Sequence, residues 1–332
     1  MTHDKTSLKS IRSSLTKKAT AFAVIAVLAV SIFAGNLMTV QASADNGTST
    51  AAVNSKQADR QILRQTLAQD QTTYKQAVDA ANIAHGQTVQ TAQLAHKQAV
   101  QDANTAYNSA VQNARQVYNT ASSGAHGNPT IIGPAMATRD QAIATAQIAQ
   151  TNAITAADAT YDKAVYDALN TQQTAIYTAL AAKDSSDTTA QSTFYTSIGN
   201  ATLATRAQTI GQAHVTADNS ILSARQTRIA AVETADATKI QAVGTAQTTY
   251  ISSEIAAKTT LDNGYTKDTK AWNAAYQSYW NTVAPLEQTK DTAIATANAN
   301  QVSAIGSADG ARDQAIDQAY ATMYGTISGA YS

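Results

Sequence analysis

The residues of this chain that could do chemistry are few and widely spaced. His85 and His96 lie eleven apart, so on a straight helix they share a face but stand about 16 Å apart at 1.5 Å per residue, too far to hold one metal ion. His126 and His214 have no paired partner nearby in sequence, only three Glu occur (Glu233, Glu254, Glu287), and the Asp residues are dispersed. There is no H-E-x-x-H, no glycine-rich phosphate loop and no G-x-S-x-G elbow. Cysteine is absent, which removes disulfides, thiol nucleophiles and thiolate metal sites. The expectation is a protein that is not an enzyme, with no catalytic residue, no bound metal and no cofactor.

The densest chemistry is aromatic. Tyr265, Trp272, Tyr276, Tyr279 and Trp280 cluster within 16 residues and include both Trp residues of the chain. Trp272, Tyr276 and Trp280 follow at i, i+4 and i+8, so they fall on one helical face. Such a face is either a candidate interaction surface, stacking on a glycan or wall polymer or forming an interface hot spot, or an aromatic plug where helices turn.

The elements that must carry these residues are set by a repeat of eleven. From Ala77 the chain reads AVDAANIAHGQ, TVQTAQLAHKQ, AVQDANTAYNS, AVQNARQVYNT. Val78, Val89, Val100 and Val111 form one column, Ala81, Ala92, Ala103 and Ala114 a second, and Tyr74, His85, His96, Tyr107 and Tyr118 a third. The pattern returns as Ile143, Ile154, Val165, Ile176, then as Ile210, Ile221, Val232, Val243, and last as Ile294, Ile305, Ile316, Ile327. Eleven residues over three turns is about 3.67 per turn, so each column keeps to one face of a nearly straight helix.

The composition favours thin packing of such helices. Hydrophobic residues make up 44%, about half of them Ala, and Phe194 is the one Phe beyond residue 33. Ala buries little area but lets helices approach near the short end of the usual ~8–10 Å spacing. The expected fold is all-α: long Ala-rich eleven-residue-repeat helices in an elongated antiparallel bundle or coiled coil. Turn signals place helix 1 at 56–121, a turn at 122–134, helix 2 at 135–183, helix 3 at 187–262 and helix 4 at 266–332. Lys183-Asp184-Ser185-Ser186-Asp187 reads as a stop followed by an N-cap, Gly264 as a left-handed C-cap, and Pro285 as a kink in helix 4. A phase slip also falls near Gly199 and Asn200, because Ile198 and Ile210 are twelve apart.

One column has a second meaning. Thr216, Thr227, Thr238, Thr249 and Thr260 recur every eleven residues, with Ala231 and Ala235, Ala242 and Ala246, then Ser253 and Ala257 between them. This spacing, over about one seventh of the chain, resembles the ice-binding face of the alanine-rich helical (type I) antifreeze proteins. The resemblance implies a flat, weakly hydrated Thr/Ala face that orders water. Exchangeable apolipoproteins and synucleins also use eleven-residue helical repeats, which makes lipid-surface binding a further alternative. Their faces carry larger apolar residues bordered by Lys, whereas this border is Gln, Thr and Asn.

The N-terminus has the three-part plan of a secretory signal peptide over 1–44: a basic start ending at Lys17-Lys18, the apolar run Ala19 to Ala34, and Ala42-Ser43-Ala44 as an A-x-A cleavage site. A flexible N-terminal segment is expected over 45–55. The formal net charge is zero, but without the first 18 residues it is −4. Dispersed charge of that sign gives no footprint for nucleic acid and no basic cluster for anionic lipid. The expectation is therefore a secreted, extracellular protein, either released or held non-covalently at a Gram-positive-type cell surface. It would act as a structural or interaction module, such as a spacer, an adhesin or a self-associating coat. Its expected partners are itself and cell-wall or host-surface polymers, with membrane contact only during export.

Overall fold

The computed structural model describes residues 50–332, with side chains from Ser55. The expected signal peptide and most of the N-terminal segment lie outside the described residues. The chain divides into two units, Met1–Ser55 and Lys56–Ser332, and the helix packing is that of the second. Four helices follow one another: α1 (Thr50–Ser123), α2 (Pro129–Ser197), α3 (Ala201–Asn263) and α4 (Thr269–Gly329). They account for 94% of the described residues, which contain no strand, and they pack into an all-α helical bundle. With 61 to 74 residues each, the helices are roughly 90–110 Å long.

Side-chain pairs fix the direction of each neighbour. Between α1 and α2, Asn82 meets Gln172 at 2.8 Å, His96 meets Asp158 at 2.6 Å and Asn104 meets Gln150 at 2.7 Å. As one number rises the other falls by the same amount, so the two helices are antiparallel in a single register. Ser192 with Gln208, and Thr174 with Gln226, do the same for α2 and α3, each pair 3.0 Å apart. Glu254 with Tyr279 (3.1 Å) and Arg228 with Asp309 (2.5 Å) show that α3 and α4 are antiparallel too, with a register offset of four residues between the two pairs.

The eleven-spaced columns face the neighbouring helices. In α1, Ala81, Ala103 and Ala114 are buried, and the Val and Tyr/His columns beside them are half-buried. In α4, Ala297, Ala319 and Met323 are buried on an equally narrow stripe. The heaviest burial belongs to α3, whose Ile210, Ile221, Ile229, Val232 and Ile251 are nearly inaccessible. Tyr166 and Leu169 of α2, Ile229 and Val232 of α3, and Ile305 and Ala308 of α4 meet in one cluster. Helix α3 is thus covered from two sides. Its contacts with α2 are closest at Gly211, where an added Cβ would lie 2.6 Å from the Cβ and Cγ2 of Thr188.

The expected boundary between helices 2 and 3 is corrected. Helix α2 runs straight through Lys183–Asp187 and ends at Ser197, and the turn sits at the phase slip instead. Two local effects decide this. Within the helix, Lys183 Nζ reaches Asp187 at 2.5 Å, and the hydroxyls of Thr188 and Thr189 donate to the carbonyls of Asp184 and Ser185. The polar run thus makes its own bonds in helical form and offers no stop. At the true turn, Gly199 adopts a left-handed φ of 78°, which costs Gly little, and the Asn200 side chain caps α3 by accepting from the Leu203 amide at 3.0 Å.

The other boundaries shift less. Helix α2 starts at Pro129 rather than 135, because Asn128 caps it and Pro129, lacking an N–H, suits the first turn. Pro134 lies inside the helix and is not part of the turn. Helix α3 ends at Asn263 with Gly264 as its cap, but at φ −82° rather than in the left-handed region. Helix α4 begins after Asp268, which accepts from the amides of Lys270 and Ala271, and continues through Pro285.

Candidate interaction surface

The aromatic residues singled out by spacing do not act as one face. Trp272 is half-buried and stands edge-on to Tyr265 at 5.3 Å, closing the turn between α3 and α4. Tyr279 is half-buried too, and its hydroxyl donates to Glu254 of α3 at 3.1 Å. Burial and the Glu254 charge both oppose its ionisation, so its pKa is raised above that of a free phenol. Tyr276 and Trp280 point outward at 44% and 47% exposure, edge-on to each other at 6.0 Å. Tyr279 also packs against Trp280 at 5.3 Å. The cluster is thus divided: Tyr265 and Trp272 plug the turn, and Tyr276 with Trp280 forms an exposed corner braced by Tyr279. A 3.6-residue period carries Trp280 about 80° away from Trp272 over eight residues, enough to separate them on a narrow stripe.

All five residues of the Thr column are exposed. The hydroxyls of Thr216, Thr227, Thr238 and Thr260 donate to the carbonyls four residues back, at 2.8–3.1 Å. Thr216 and Thr227 also line an open groove of about 1190 Å³ between α3 and α4, floored by Ala213, Ala217 and Met323. Thr238, Thr249 and Thr260 continue beyond that groove.

Among the described residues no group of three His, Asp or Glu could hold a metal ion, and no helix is long and apolar enough to cross a membrane. His96 is engaged by Asp158 at 2.6 Å and stands 5.3 Å from the ring of Tyr161. Burial lowers the pKa of His85. His214, for which the sequence showed no partner, faces Asp184 and Lys183 of α2.

That last contact belongs to a polar node that residue types and local spacing did not reveal. Lys183 is buried, with Asp187 at 2.5 Å and Asp184 at 3.8 Å. Asp218 of α3 lies against Asp184, and Asp70 of α1 against Asp187. A smaller node joins Asp140, Arg139 and Lys258 to Asp262, which is fully inaccessible. A signal was present in the numbering: Asp140 and Asp184, and likewise Asp218 and Asp262, are four repeats of eleven apart.

The chain matches no protein-family model, no curated protein and no solved structure in the three comparisons made.

Proposed function

We propose that this chain is an exported, non-enzymatic helical rod that works through its outer surface, associating with itself and with polymers of a bacterial cell surface. The observation that carries this reading is the Tyr276–Trp280 corner: two large adjoining rings left nearly half exposed on a bundle whose buried positions are mostly Ala, Val and Ile. Indole and phenol faces stack on sugar rings and dominate interface energetics while losing little conformational freedom. Around them, exposed Gln, Thr and Asn offer many weak hydrogen bonds and little charge steering. The leader residues and the absence of Cys agree with export.

The test is retention of the tagged protein on isolated Gram-positive-type wall and on whole cells, with light scattering for self-association. Trp280→Ala is expected to weaken retention about tenfold or more, as an interface hot spot does. Because Trp280 is half exposed, its loss should leave stability within about 0.5 kcal/mol of the parent. Absence of retention and of self-association would dispose of the reading.

A second reading, ice binding, is favoured by the exposure of all five column Thr residues, four of them with hydroxyls bonded back to the helix. It expects thermal hysteresis or faceted ice growth, abolished by Thr238→Lys because a charged, strongly hydrated head interrupts the face. An unaltered freezing profile for the parent protein eliminates it.

A further inference from the structure

Three carboxyl pairs stand close enough to share hydrogen bonds: Asp184 with Asp218, Asp187 with Asp70, and Asp262 with Asp140. An ionised carboxylate is acceptor-only, so a bond between two carboxyls exists only if one carries a proton. The buried oxygens Asp70 Oδ2, Asp187 Oδ1, Asp218 Oδ2 and Asp262 Oδ2 have no hydrogen-bond partner, which is the pattern such a proton would resolve. The two nodes differ in their cations. At the Asp140–Asp262 pair, Arg139 and Lys258 supply two positive charges for two carboxyls. At the other, Lys183 is the cation set among Asp70, Asp184, Asp187 and Asp218, reaching Asp187 at 2.5 Å and Asp184 at 3.8 Å, so carboxyls outnumber the positive charge.

We propose that the Asp184–Asp218 pair, with Asp70–Asp187 beside it, is a proton-binding clamp that ties α1, α2 and α3 together in mildly acidic surroundings and loosens this end of the bundle as pH rises through neutrality. Its position gives it leverage. Asp218 and Asp262 stand one repeat beyond the ends of the column Ile229, Ile240, Ile251, so the pairs bracket the apolar seam between α2 and α3. The groups facing Asp218 are Asp184, Lys183 and Tyr177 on α2, Tyr74 on α1 and Tyr320 on α4; on α3 itself His214 faces Asp184 and Lys183, and Arg225 faces Tyr177 and Tyr320.

Burial first, and then the Asp184 carboxyl, push Asp218 up to about 7, and burial raises Asp187 as well. A carboxyl whose folded pKa exceeds its unfolded value binds more protons when folded, so stability falls as pH rises between the two values. For Asp218 the window runs from about 4 to about 7. His214 and His85 act in the opposite sense. Burial lowers both, so the unfolded chain takes up their protons first and stability is lost as pH falls below about 6.5. The diagnostic quantity is therefore the difference in pH slope between the parent and Asp218→Asn, which cancels the His contribution.

The experiment is urea unfolding of the full chain from pH 8 to pH 5, with amide hydrogen exchange over the same range corrected for intrinsic rate. Relative to Asp218→Asn, the parent should gain about tenfold in folding constant per pH unit within the window. Amides around Asp184 and Asp218 should lose protection towards pH 8 before those around Ile240. His214→Gln should steepen the parent slope on the acid side. Equal slopes in the parent and Asp218→Asn overturn the proposal. So does restoration of the pH 8 protein by millimolar calcium chloride to the stability seen at pH 5, because the clamp would then be a cation site.

Discussion

Lys183→Met is expected to destabilise the protein by about 3–5 kcal/mol at pH 7.5, as removing one partner of a buried ion pair does. The size of this effect follows from location. Lys183 and Asp187 are an i, i+4 pair, and on an exposed helix such a pair stabilises by only about 0.3–0.5 kcal/mol. Here the Lys183 side chain is 7% exposed and that of Asp187 17%, with Asp184 and Asp218 on the other side. The methionine keeps the stem packing but leaves clustered carboxyls without their central cation. Because those carboxyls can accept protons, the cost should shrink markedly at pH 5. Urea unfolding at both pH values checks this. A loss below about 1 kcal/mol at pH 7.5 would show that solvent screens the pair as it does on a surface.

Gly→Ala substitutions should change sign with position. Helix propensity alone favours Ala by about 0.8–1.0 kcal/mol. At Gly306 and Gly310 an added Cβ meets nothing within 4 Å, so each substitution should stabilise by about that amount. At Gly211 the added Cβ lies 2.6 Å from Thr188 Cβ and Cγ2, and Cβ cannot move without the backbone. The Thr188 hydroxyl is bonded to the Asp184 carbonyl at 2.6 Å, which further holds the side chain. Overpacking of this kind costs about 1–3 kcal/mol and occasionally more, exceeding the propensity gain.

Gly211→Ala is thus expected to lose about 1–2 kcal/mol net, with Gly211→Val worse. Thr188→Gly in the Gly211→Ala background should recover part of the loss, giving a favourable coupling in the double-mutant cycle. At Gly244 the opposing Thr155 contacts closer than 3 Å are Oγ1 and Cγ2, which can rotate away, so the loss there should be smaller. If Gly211→Ala stabilised as much as Gly310→Ala, the close approach of α2 and α3 would be refuted.

Much of the architecture was legible because it rests on periodicity. Columns spaced by eleven stay on one side of a helix over many turns, and burial of Ala81, Ala103 and Ala114 on that side follows from geometry alone. The aromatic node at the α3–α4 turn was legible as a cluster. The turn between α2 and α3 was misplaced because local signals compete: Lys183–Asp187 has the composition of a cap, yet as a helix it forms its own ion pair. The phase slip at Gly199 and Asn200 was the better guide, since a slip moves a whole stripe off its partner.

Side-chain periodicity thus gave the helical class and the inward faces before any packing was known. Only the tertiary structure decided which aromatic rings stay in solvent, where glycines let α2 and α3 approach closely, and which carboxyls meet. Those outcomes depend on the register between helices, which pairs residues tens of positions apart. Asp218 is ordinary on its own helix, and becomes a proton-binding group only because α2 places Asp184 against it in a partly buried site.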